Sequence, residues 1–416
     1  MRAGGGEAVA KLARLLIAAL DGLWRALGLA LLGLVGLNLL AAAILGINRL
    51  LKRPAAQPDM VARYFRAEEK LRLRWEPYVY WRTHPMSGDC VNVDADGLRK
   101  TWSAGMRKTG KPDAKVFVFG GSTVFGHGTC DEFTIPSELA KAIDAAGLRN
   151  VEVVNFGQLG YVSTQEVLSL LWSLRRGNVP DVAVFLDGFN DVVSAYQNGV
   201  AGITENEENR VAEFNALNVS VDPLGAAGRT VEAAMRSLSV IHLSRKVLRR
   251  IGVPVPERGS KGIRMSWDVS YAGERDPKLA GQVVASYAAN ARLVEGVSRS
   301  LGFAALFYWQ PTVYEDKDMA LQLSRGVGTT AQFQNFLRES YAAAAAVSRK
   351  PGTAGFTLAD LGAALNGQPE GCFLDDVHLD GRCNEVVARI IAPDVIRALR
   401  HRPEPVRPSG PASHGH

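Results

Sequence analysis

The chain has 416 residues, 47% of them hydrophobic and 22% charged, enough for a sizeable core in one large or two smaller domains. Its net charge of +6 is scattered along the chain, and no homeodomain, zinc-finger or RNA-recognition signature accompanies it, so nucleic acid is excluded as the expected partner. The four cysteines form no CxxC pair, metal-ligand spacing is absent, and neither a metal nor another cofactor is expected.

Residues 1–26 set Lys11, Arg14 and Arg25 among Leu and Ala, as in an amphipathic cytoplasmic segment. Residues 27–47, "LGLALLGLVGLNLLAAAILGI", carry Asn38 as their only polar side chain. About 20 apolar residues cross a bilayer as a helix, so this stretch is expected to be a transmembrane anchor. A cleaved signal peptide, with Ala41 to Ala43 as small residues, is the competing reading. The basic residues are nearly balanced, with Arg2, Lys11, Arg14 and Arg25 before the span and Arg49, Lys52 and Arg53 after it. Orientation therefore rests on the cysteines. An even number in a membrane-anchored chain predicts two disulfides in an oxidising, periplasmic or otherwise extracytoplasmic compartment. Four reduced, buried thiols in the cytosol are the alternative. Three connectivities are open, and Cys90–Cys130 with Cys372–Cys383 is the expected one.

Residues 48–112 read as a linker and membrane-proximal collar. "RPAAQPDM" breaks the helix, Val61 to Leu73 is helical, Trp75 to Pro85 is extended, and a turn falls at Asp96–Gly97. From residue 113 to 400 apolar strands alternate with amphipathic helices. Strands are expected at Lys115 to Phe119, from Val151, from Asp181, from Gly302 and from Gly355. Helices are expected at Ile135 to Ala146, Thr164 to Arg175, Pro277 to Ser300 and Asn384 to Leu399. This alternation predicts an α/β domain: three layers, with a mostly parallel five-stranded sheet covered on both faces. An insertion over about 194–275 interrupts it, with helical pieces at 207–217 and 230–250. Residues 401–416 are Pro-, Gly- and Ser-rich and read as a disordered tail.

The first strand of that domain runs into "GGST" at Gly120 to Thr123. A phosphate loop fails here, because His127 and Gly128 stand where lysine and a hydroxyl belong. A G-x-S-x-G elbow fails by one residue, Val124. Ser122 as a nucleophile needs a base. Of the seven histidines, His401, His414 and His416 lie in or beside the tail, His84 in the collar and His242 in the insertion. His127 sits in the serine's own loop. His378 lies in "DDVH" just before the last helix, three residues after Asp375, close enough for one tight turn to hold carboxylate against ring. Donors for an oxyanion are offered by Gly157 and Gly160 in "NFGQLGYVS", and by Gly188, Asn190 and Asp191 in "DGFND".

Four segments in order, "FGGSTVFG", "NFGQLGYVS", "GFND" and "DDVH", resemble the motifs of the SGNH (GDSL-type) hydrolase family, with Gly121 in place of the usual Asp. The resemblance covers about residues 116–399 without the insertion. Membrane-anchored members with a GGST variant and a "WQPT"-like fourth strand (Trp309 to Thr312) look closest. It implies an SGNH/flavodoxin-like fold and Ser122 as nucleophile. His378 would be the base and Asp375 its orienter, preferred to Asp376. The oxyanion hole would come from Ser122, Gly160 and Asn190, with Gly157 as fallback and Gly188 and Asp191 supporting. The expected activity is hydrolysis of O-acyl esters, acetyl groups on envelope glycans among them. An O-acyltransferase built on the same residues, or an inert membrane-tethered binding module, are the other readings.

Overall fold

The computed structural model describes residues 4–51, 59–104, 111–207, 276–315, 330–350, 355–368 and 372–401, with a few positions between 210 and 247. The chain divides into two compact units. One contains helix α1 (Gly4–Leu51), whose stretch Asp21–Ile44 is long and apolar enough to cross a membrane. The expected polar lead and apolar span therefore form one continuous helix.

The other unit holds the sheet and also the region expected as a separate collar. Helix α2 (Asp59–Glu68) opens it, followed by an antiparallel hairpin of β1 (Leu73–Glu76) and β2 (Tyr80–Thr83). The helix expected through Leu73 stops at Glu68. Leu73 pairs with Thr83 instead, and the ladder overrides the helix preference of the charged run. The hairpin is fastened to the sheet domain by polar side chains. Gln158 accepts from the Thr83 amide at 2.8 Å and donates to the Gly97 carbonyl at 2.8 Å, while the Trp81 ring N–H donates to the Leu159 carbonyl at 2.7 Å. A disulfide joins Cys90 to Cys130.

The sheet comprises β3 (Ala114–Gly120), β4 (Val151–Asn155), β5 (Val182–Asp187), β6 (Ala304–Trp309) and β7 (Leu358–Asp360), all parallel, in the order β4-β3-β5-β6-β7. Every residue of β5 is buried, as a strand covered on both faces requires. The register sets Phe119, Phe185 and Phe307 side by side, with rings stacked at 4.8 and 5.4 Å. Helices α4 (Ile135–Ala145) and α9 (Gly381–Arg400) pack together. Helices α5 (Ser163–Arg175), α6 (Phe189–Asn198), α7 (Leu279–Leu301) and α8 (Ala331–Ser348) form a second group around α7. Helix α8 was not among the expected elements, although Thr330 caps it and an alanine run fills it. The insertion begins later than residue 194: Ser194 lies inside α6, and Thr204, Glu205 and Asn206 are buried. Most of its expected helical pieces, His242 and the tail from residue 402 lie outside the described residues.

Strand order reverses at β4-β3-β5, and in open α/β sheets ligands bind beyond the carboxyl ends of the strands at such a switch point. Ser122, Gly160 and Asn190 all follow these three strands.

Candidate active site

Ser122 begins the one-turn helix α3 (Ser122–Phe125), entered directly from β3. Both preceding glycines are there because backbone and side chains crowd the bend. A Cβ at Gly120 would come within 2.7 Å of the Leu186 carbonyl, and one at Gly121 would collide with Asn190 Nδ2. Gly121 in place of an aspartate thus fits the space Asn190 leaves. The turn ends at Gly126, in the left-handed region at φ 93°.

A buried arginine, Arg99, collects the carbonyls at that end. Its Nη1 donates to Phe125 O at 2.8 Å and Gly126 O at 2.7 Å, its Nη2 to Thr129 O at 2.6 Å, and its Nε to Asp131 Oδ1 at 2.8 Å. Asp131 is held in turn by Asn92 Nδ2 at 2.8 Å. A guanidinium suits this place because five N–H donors in a fixed fork can satisfy several acceptors at once.

His378 reaches the serine from the other end of the chain. The loop between Cys372 and Cys383 is closed by their disulfide and by a hydrogen bond from Leu374 N to His378 O at 2.8 Å. Inside it, Asp375 Oδ1 accepts from the amides of Val377 and His378 at 3.0 and 2.9 Å, and Oδ2 accepts from His378 Nδ1 at 2.6 Å. A carboxylate only accepts, so Nδ1 carries the proton and Nε2 is left as an acceptor. Nε2 lies 2.6 Å from Ser122 Oγ, across 256 positions of sequence. Burial would raise the Asp375 carboxyl, but the His378 ring and the two amides outweigh it and hold it well below the usual carboxylate range. Asp376 points elsewhere. Its carboxylate accepts from the Tyr314 hydroxyl at 2.8 Å.

The expected donors separate into distinct roles. Asn190 Nδ2 spends one hydrogen on the Tyr161 carbonyl at 2.8 Å and keeps a second. Among the described residues, the Ser122 and Gly160 amides have no acceptor. The Gly157 amide is already occupied: it donates to Asn155 Oδ1 at 2.9 Å, and the residue is pressed beneath α3. Gly188, at φ 124°, lies flat on the Trp309 ring, where a Cβ would come within 2.6 Å of Cε2. Asp191 accepts from Ser163 Oγ at 2.6 Å and from its amide at 3.3 Å, tying the start of α5 to the β5 exit. Burial lifts its carboxyl to about 6.

Sequence reasoning left two parts of the site out. Arg99 carries no motif, and its partners lie up to 32 positions away. His127 lies over His378 with ring centres 4.1 Å apart and the two planes tilted by 36°. Ligating atoms of His127, Asp375 and His378 lie within 4.8 Å of one another. Both nitrogens of His378 are already engaged, by Asp375 and Ser122, so the group reads as a hydrogen-bonded relay.

No protein-family model matches the chain, and no curated protein does. Among solved structures it is similar to an acetyl xylan esterase, at 13% identity over 68% of this chain and 99% of that one, with a TM-score of 0.36. A lipase/acylhydrolase from Enterococcus faecalis is 14% identical over 68% of this chain and 96% of its own, at a TM-score of 0.34. A lipolytic protein of the G-D-S-L family from Veillonella parvula is 12% identical over 67% and 96%, at 0.35.

Proposed function

We propose that the chain is a serine hydrolase of the SGNH (GDSL) type, tethered to a membrane through α1 and facing an extracytoplasmic compartment, which cleaves small O-acyl esters, acetyl groups on glycans among them. The observation that carries this reading is the unbroken relay Ser122 Oγ, His378 Nε2, His378 Nδ1, Asp375 Oδ2, with both links at 2.6 Å. Two disulfides in the described chain support the compartment.

In this mechanism Ser122 Oγ attacks the ester carbonyl while its proton passes to His378 Nε2. Asp375 stabilises the imidazolium and keeps the ring in the tautomer that accepts at Nε2. The carbonyl oxygen, now negative, takes the Ser122 and Gly160 amides and the second hydrogen of Asn190 Nδ2. Collapse of the tetrahedral adduct expels the alcohol, which receives the proton from Nε2. Water, deprotonated by the same nitrogen, then attacks the acyl-serine, releases the carboxylic acid and regenerates Ser122.

A fluorophosphonate probe tests the reading on the full chain in detergent. It should label Ser122 covalently, and Ser122→Ala should abolish both labelling and release of acetate from an activated acetyl ester. Folded protein that neither reacts with the probe nor turns over the ester favours the inert binding module.

A further inference from the structure

The catalytic ring of the proposed hydrolase has a neighbour that the mechanism does not use. His127 follows the nucleophile turn, its amide donating to Ser122 O at 3.0 Å. Its imidazole lies over that of His378 at 4.1 Å between centres and 36° between planes. Its Nδ1 is 3.1 Å from Glu68 Oε1 and 3.3 Å from the Tyr64 hydroxyl. By the same logic as for His378, the carboxylate fixes the proton on Nδ1. Tyr64 and Phe65 close around the ring edge-on at 5.2 and 5.7 Å. Three residues of one face of α2 thus cage a single imidazole, and Glu68–His127 repeats the carboxylate–imidazole pairing of Asp375–His378.

We propose that His127, held by Glu68, is a positioning residue for the His378 imidazole. The inference rests on the hydrolase reading above. Asp375 and Ser122 hold His378 within the plane of its ring, at Nδ1 and Nε2, but two in-plane hydrogen bonds leave the ring free to rock about the line that joins them. An anchored ring tilted 36° over its face restricts that rocking and keeps Nε2 aligned on Ser122.

The test measures kcat and KM for His127→Ala and His127→Phe. His127→Ala should lower kcat about tenfold with KM unchanged, and His127→Phe should recover most of the loss. In parallel, the downfield proton shared by His378 Nδ1 and Asp375 is followed by NMR in the Ser122→Ala background, where no turnover is needed. It should broaden or vanish in His127→Ala and persist in His127→Phe. A kcat unchanged in His127→Ala, or a downfield proton indifferent to that substitution, overturns the positioning role. Failure of the parent to label with the probe overturns the hydrolase reading instead, and the NMR readout tells the two apart.

Discussion

Two adjacent aspartates in the His378 loop face opposite ways, and that difference is a test at the scale of single atoms. Asp375 spends both oxygens on the His378 turn, including the 2.6 Å bond to Nδ1. Asp376 binds the Tyr314 hydroxyl at 2.8 Å and takes the Thr312 hydroxyl on its carbonyl at 2.8 Å. Asp375→Asn should leave the loop in place but offer the ring an amide, which stabilises the wrong tautomer and no longer offsets the imidazolium. A fall in kcat of about 10⁴ is expected, as for other triads of this kind. Asp376→Asn keeps an acceptor for Tyr314 and should stay within a few-fold of the parent. Steady-state kinetics with an activated acetyl ester checks both. Equal losses would mean that loop integrity, rather than the Asp375–His378 bond, limits the rate.

Elements that share no sequence neighbourhood meet at the nucleophile turn, and Arg99 joins them. Its guanidinium, fully buried, serves the Phe125, Gly126 and Thr129 carbonyls and the Asp131 carboxylate. Arg99→Met leaves Asp131 without its cation and takes a donor from each of three carbonyls, although Gly126 O keeps the Thr129 amide and hydroxyl and Phe125 O keeps Asn155 Nδ2. A loss of about 3–5 kcal/mol is expected, read as a lowered midpoint in chemical denaturation. The disulfides act on different elements. Cys90–Cys130 closes a separation of 40 residues and staples α2 and the hairpin region to the α3 loop. By chain entropy it contributes about 4 kcal/mol. Cys372–Cys383 closes only 11 residues, but those residues carry Asp375 and His378. Replacing the second pair by Ser should therefore lower kcat more than it lowers thermal stability, and replacing the first pair should do the reverse. Thermal unfolding and kinetics on the two double variants separate these outcomes.

Over the whole molecule, the sheet was legible because its strands are short apolar runs, four of the five with a glycine at or within two residues of the exit, and helices of clear period lie between them. Three of the four segments that meet at the sheet edge were legible for the same reason, a strand exit having a residue pattern; the fourth, Asp375 to His378, was legible from its spacing just before the last helix. Arg99, Glu68 and His127 were not, because their roles depend on contacts between distant segments that periodicity does not encode. The same holds for an acidic group buried away from the relay. Glu166 and Asp187 are buried beside Asp191; neither oxygen of Glu166 nor Oδ2 of Asp187 makes a hydrogen bond within normal reach, and the Tyr287 hydroxyl that faces Asp187 is likewise unpartnered. One carboxyl facing another supplies a donor only when it carries a proton. Burial, reinforced by the neighbouring carboxyls, raises Glu166 far above its usual range; burial lifts Asp187 to about 8 and Asp191 to about 6. In the unfolded chain these groups ionise near pH 4. Between pH 4 and 8 the unfolded state therefore holds fewer protons than the folded one, and stability falls as pH rises. The depressed Asp375 carboxyl works in the opposite sense, but only below the ordinary carboxylate range, so it does not mask the trend. Glu166→Gln puts a permanent amide donor against Asp187 and removes one titrating group. Thermal unfolding across this interval should fall steeply for the parent and less for Glu166→Gln, with the variant the more stable of the two at pH 8. Parallel curves would mean that the carboxyls are ionised in the folded protein and matched by donors that these side chains do not have.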